Sequence, residues 1–108
     1  MRRPREKSEQ HLEYIRQLPC VICKNPHETE AAHVRMACRR LAKREAGMGA
    51  KPHDRWTLPL CGTHHREQHS LGEAKFWKKY DKDPFVLSLA LWGETGNHED
   101  GTLIVEMN

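Results

Sequence analysis

Apolar positions along the chain fall into short groups set apart by charged and turn-forming residues, and each group predicts one element. Leu12, Ile15 and Leu18 recur every three residues, close to the spacing of a buried helical stripe. Ser8 is placed to cap that helix and Pro19 to end it. "CVICKNP" then predicts a tight turn between Cys20 and Cys23, closed by Pro26, and "ETEAAHV", residues 28–34, reads as a short strand. Between Arg35 and Asp54 the pattern allows a brief helix over about residues 37–45, followed by the glycine-rich loop "GMGAKP". "RWTLPL" reads as a second strand, with Pro59 confining it to an edge or to the strand end. A helix over about residues 62–70 follows. "GEAKFWKKY" and "DPFVLSLALW" predict two more helices, the second with Pro84 in its first turn. Leu87, Leu91, Phe76, Trp77 and Phe85 are assigned to the core. From Gly93 onward the chain reads as loop, with a short strand in "TLIVEM". The expected division is a basic, disordered arm over residues 1–7, one domain over 8–92 and an acidic tail over 93–108.

Composition narrows the class. The chain has 108 residues, enough for one domain, but it is 37% hydrophobic and 31% charged, with three Trp, two Tyr and two Phe. That is thin material for a core, so a structural metal is expected to make up part of it. No apolar run approaches the roughly 20 residues that cross a bilayer, and the basic start lacks the apolar stretch of a secretory signal. A cytoplasmic location is expected. There Cys20, Cys23, Cys38 and Cys61 stay reduced, and paired cysteines more often hold metal than form disulfides.

The net charge of +3 is small, but it is unevenly placed. Arg2, Arg3, Arg5 and Lys7 load the N-terminus. Arg35, Arg39, Arg40, Lys43, Arg44, Lys51 and Arg55 load the middle, while the tail after Trp92 carries only acids. A phosphate backbone is the commonest target of such a basic segment, the plain alternative being a solvated surface.

The chemistry concentrates in "LPLCGTHHREQH". Cys20-x-x-Cys23 is half of a tetrahedral zinc site, and Cys61-x-x-His64 supplies a second pair at the start of a helix. Cys20, Cys23, Cys61 and His64 form the expected structural zinc set, with Cys38 as an alternative to His64. His65 and His69 stand four apart, on one helical face. That spacing can hold a second ion or be a polar surface.

The order of these parts resembles the HNH, or ββα-metal, nuclease superfamily: a knuckle, a strand ending in His33, a basic loop, a second strand and a helix opening with Cys-x-x-His-His. The likeness is greatest to phage-encoded recombination-enhancement nucleases of the Ref type. It rests on "LPCVIC", "AAHV", "GMGAKPHDRWTLPLCGTHHREQH" and "FWKKY", spanning about residues 18–80. Two positions depart from the superfamily pattern. Ala32 stands where a His or Asp ligand usually precedes the histidine, and the usual Asn of the second strand is absent, leaving Asp54 as the candidate for its orienting role.

The resemblance implies an α+β fold, a small zinc-stabilised ββα-metal core with flanking helices. It also implies metal-dependent DNA endonuclease activity of weak sequence specificity. His33 would be the general base, Asp54 its orienting partner, and His65 and His69 the ligands of a catalytic divalent ion such as Mg2+. Arg35, Arg39, Arg40, Lys43 and Lys51 would grip the DNA backbone. Two rivals stand beside this reading. One is a non-catalytic zinc-stabilised DNA-binding module, which uses the four zinc ligands and no chemistry at His33. The other is an accessory protein acting on a recombinase–DNA filament.

Overall fold

The computed structural model describes residues 8–44 and 53–108. The basic arm, the "GMGAKP" loop and Lys51 lie outside the described residues. Within them the fold is α+β: five helices surround an antiparallel pair of strands. Among the described residues no helix is long and apolar enough to cross a membrane.

Helix α1 (Glu9–Arg16) starts where the sequence places its cap: the Ser8 side chain accepts from the His11 N–H. Its apolar face sends Ile15, with Leu18 just beyond the helix, into the core, both fully buried. Strand β1 (Thr29–His33) pairs with β2 (Thr57–Cys61) in a register that sets Thr29 against Cys61 and His33 against Thr57. Every residue of β2 is buried, and Leu58 and Leu60 are fully enclosed. Pro59 sits in the middle of β2, opposite Ala31, which a two-stranded ribbon tolerates because each strand is an edge. Its carbonyl accepts from the Val21 N–H at 2.9 Å and so ties the cysteine knuckle to the sheet.

Helix α2 (Gly62–Leu71) follows β2 without a loop, and α3 (Glu73–Lys79) follows α2 after the single residue Gly72. Gly72 has φ +92°, which a side-chain-bearing residue adopts only with strain. Helix α4 (Pro84–Gly93) has Asp83 as its cap, accepting from the Phe85 and Val86 N–H groups, and buries Leu87 and Leu91.

Two expectations fail. In the described part of the helix expected over 37–45, residues 37–44, Arg39–Leu41 make only one 3₁₀ turn, ended by Ala42 at φ +55°. Cys38 and Lys43 then exchange backbone hydrogen bonds of 2.9 Å, so the chain doubles back. The tail is neither loop nor strand. Residues His98–Glu106 form helix α5, capped by Asn97, which accepts from the Asp100 N–H, with Glu99 and Asp100 favourably placed in the first turn. Gly101 and Val105 are buried, so α5 is packed onto the domain and is not a loose acidic extension.

Candidate functional site

Two sites are built on the helix that opens with Cys61. Successive residues of a helix lie about 100° apart, so neighbouring histidines need not share a partner. His64 turns toward the knuckle and His65 toward the strands.

The knuckle is shaped by backbone bonds across it. The Cys20 N–H donates to the Asn25 carbonyl and the Lys24 N–H to the Cys20 carbonyl, with Lys24 itself at φ +64°. With Val21 tied to Pro59, Cys20 and Cys23 are delivered to the end of β2. Cys23 Sγ lies 3.8 Å from Cys61 Sγ, and His64 Nδ1 lies 3.2 Å from Cys61 Sγ and 3.7 Å from Cys20 Sγ. Ideal tetrahedral Zn–S and Zn–N bonds require sulfurs about 3.8 Å apart and sulfur–nitrogen separations of about 3.6 Å. All four ligand atoms lie within 4.8 Å of one another, and no other group of three or more potential ligands does so among the described residues. Burial raises the Cys20 thiol pKa, but backbone N–H groups of Cys23, Cys61 and Ile22 reverse that and hold it below its ordinary value, favouring the thiolate. The fourth member of the cluster is therefore His64. Cys38 is in the 38–43 reversal and belongs to no such cluster.

The second site is a cleft of about 480 Å³ between β1 and the α2–α3 corner. His33, Arg35, His65, Gln68, His69 and Glu73 are among its walls. Behind His33, Asp54 is almost wholly enclosed at 2% exposure. His33 Nε2 lies 3.0 Å from Asp54 Oδ1, and Asp54 Oδ2 accepts from the Ser8 N–H at 2.7 Å. The Thr57 hydroxyl donates to the Asp54 carbonyl, which fixes the turn that carries the carboxylate. Asp54 is thus held by α1 and β2 together, and His33 is held by Asp54. The rings of His65 and His69 have centroids 4.9 Å apart, and His65 Nδ1 lies 2.7 Å from Glu30 Oε1.

The expected cations divide. Arg35 reaches the cleft, and Arg39 and Arg40 are exposed on the 3₁₀ turn, where Arg40 lies 3.4 Å from Asp83. Lys43 does not belong with them. Its ammonium is buried, donates to the Met36 carbonyl at 2.6 Å and lies over the Trp56 ring, so it holds the loop together. Sequence reasoning also passed over Glu30, Glu73 and the Ser8 N–H. Their contacts join residues 35 to 46 positions apart, and no local spacing marks them.

Residues 1–91 match the family model described as "Protein of unknown function (DUF968)". The uncharacterized protein YdfU of Escherichia coli K12 is 32% identical over 69 residues, which make up 64% of this chain and 18% of YdfU. The chain thus spans less than a fifth of that relative. No solved structure matches it.

Proposed function

We propose that this chain, which belongs to the DUF968 family, is a metal-dependent DNA endonuclease with a structural zinc on Cys20, Cys23, Cys61 and His64. The observation that carries the reading is the cleft itself. One open cleft brings together an imidazole backed by a buried carboxylate, a second pair of imidazoles and an arginine.

With Nε2–H donating to Asp54, the lone pair of His33 sits on Nδ1, and this nitrogen takes the proton from the water that attacks phosphorus. Asp54 stabilises the imidazolium as it forms, and the Ser8 N–H holds the carboxylate in place. Glu30 accepts from His65 Nδ1–H and so presents Nε2 to the cleft beside His69; together these two histidines would hold a divalent ion. Such an ion, when bound, neutralises charge on the phosphorane and the leaving oxygen. Among the described residues no third ligand atom joins the two imidazoles. Arg35 holds the phosphate being cut, and Arg39 and Arg40 hold its neighbours, without reading bases.

Plasmid nicking by the purified chain tests this, with magnesium, manganese or nickel, beside His33→Ala. Loss of the base should lower the rate about 10²- to 10⁴-fold while zinc content and DNA affinity stay as in the wild type. Equal nicking by both proteins removes His33 as the base. DNA binding with no nicking under any ion makes the chain a zinc-stabilised binding module instead.

A further inference from the structure

Where β1 leaves the sheet, its backbone must find new partners. The bond from the Val34 N–H to the Trp56 carbonyl, 2.8 Å long, is the last that β2's side supplies. The next two N–H groups turn to a single side chain 38 and 37 positions away. Glu73 Oε1 accepts from the Arg35 N–H at 2.9 Å, and Oε2 accepts from the Arg35 and Met36 N–H groups at 3.0 and 3.1 Å. These bonds fasten the chain two residues beyond His33 to the first residue of α3. Only Gly72 separates that residue from the helix carrying His65 and His69.

A carboxylate on the wall of a cleft that takes a phosphate would repel its substrate. Here the charge is met by two backbone donors, and charge-assisted bonds of this kind are the strong ones. We propose that Glu73 is a positioning residue. It fixes the separation between the base on β1 and the imidazole pair on α2, and it orients the backbone from which Arg35 projects. The inference rests on the nuclease reading of the same cleft. The contact requires a carboxylate of this length: Gln offers one acceptor and turns an amide N–H₂ toward the second donor, and Asp is one methylene short.

The test uses the full chain with zinc bound, as wild type, Glu73→Ala and Glu73→Gln. Amide exchange should quicken at Arg35 and Met36 in Glu73→Ala and stay protected along β2, which separates release of the clamp from unfolding. With saturating plasmid and manganese, kcat should fall about 10- to 100-fold in Glu73→Ala with KM little changed, the loss expected for reacting groups displaced by about 1 Å. Glu73→Gln should fall between the two. Unchanged exchange at Arg35 and Met36, unchanged kcat, or a raised KM at constant kcat each overturns the positioning role. Nicking by the wild type and by Glu73→Ala alike sinks the clamp and leaves the nuclease standing. No nicking by the wild type sinks the nuclease, and Glu73's part in it, whatever the exchange shows.

Discussion

The ring of His11, within reach of the Asp54 charge, is fully buried on α1. Its Nδ1 is 2.7 Å from the Thr95 hydroxyl, which itself donates to the Trp92 carbonyl, so His11 must be the donor and its proton is on Nδ1. Nε2 then carries a bare lone pair, and among the described residues it is buried without a hydrogen-bond partner. Protonation would place an N–H⁺ where nothing accepts it. Burial accordingly lowers the His11 pKa to about 4, against the opposing pull of the Asp54 carboxylate. An unfolded chain takes up this proton near the ordinary value of about 6.5. Stability from keeping the ring neutral is therefore complete above about pH 6.5 and is lost as pH falls toward 4. His11→Phe removes the titration and keeps a ring of similar shape. The stability difference between wild type and variant, measured by urea unfolding at pH 7 and at pH 4.5, should shift toward the variant at the lower pH. A difference that stays constant would mean that the folded protein accepts the proton as readily as the unfolded one.

Among the elements, α5 departs most from its sequence, and the reason is legible after the fact. Gly101, Thr102, Ile104 and Val105 are poor helix formers, so "GTLIVEM" reads as loop and strand. Tertiary contacts and the cap outweigh that preference. Asn97 closes the first turn, His98 stacks on the Tyr14 ring at 5.8 Å, and the Tyr14 hydroxyl donates to the Asn97 carbonyl. Gly101 is what lets the helix come so close. A Cβ built on it would overlap the Tyr14 hydroxyl, lie 2.8 Å from Tyr14 Cζ and 3.0 Å from a Leu18 methyl. Gly101→Ala would add helix propensity on an isolated peptide, yet here it should destabilise the protein by about 1–3 kcal/mol through overpacking. Chemical denaturation checks this; a neutral or stabilising result would show that α5 can slide off Tyr14 at little cost. The same contrast divides the whole reading. α1, the two strands and α2 to α4 were visible because caps, prolines and apolar spacing are local. The Cys3His cluster was visible because two short spacings declare it. Glu30, Glu73 and the burial of Lys43 were not, since each depends on which segments the fold brings together.

At the scale of the molecule, the Cys3His cluster joins parts that are far apart in sequence. Cys20 and Cys23 lie between α1 and β1, and Cys61 and His64 span the junction of β2 with α2. Lys24, beside the knuckle, donates to the Val21 carbonyl at 2.7 Å and the Val105 carbonyl at 2.8 Å, so the C-terminal end of α5 is fastened there too. With zinc on this cluster, as proposed, a core this lean would leave much of the folding free energy to the ion, as in small zinc domains whose ligand sets form only on folding. Cys23→Ser and Cys38→Ser compare a thiol of the knuckle with the cysteine that spacing alone left as an alternative to His64. Cys23→Ser should lose bound zinc and a large part of the thermal stability, on the order of several kcal/mol, because three ligands hold the ion far less tightly than four. Cys38→Ser should keep one zinc per chain and melt as the wild type does. Atomic absorption and calorimetry on the two variants decide the matter. Zinc retained in Cys23→Ser would take the knuckle out of the site, and zinc lost in Cys38→Ser would put Cys38 in the place of His64. For Cys38 to take that place it would have to leave the 38–43 reversal, where two backbone bonds of 2.9 Å to Lys43 hold it.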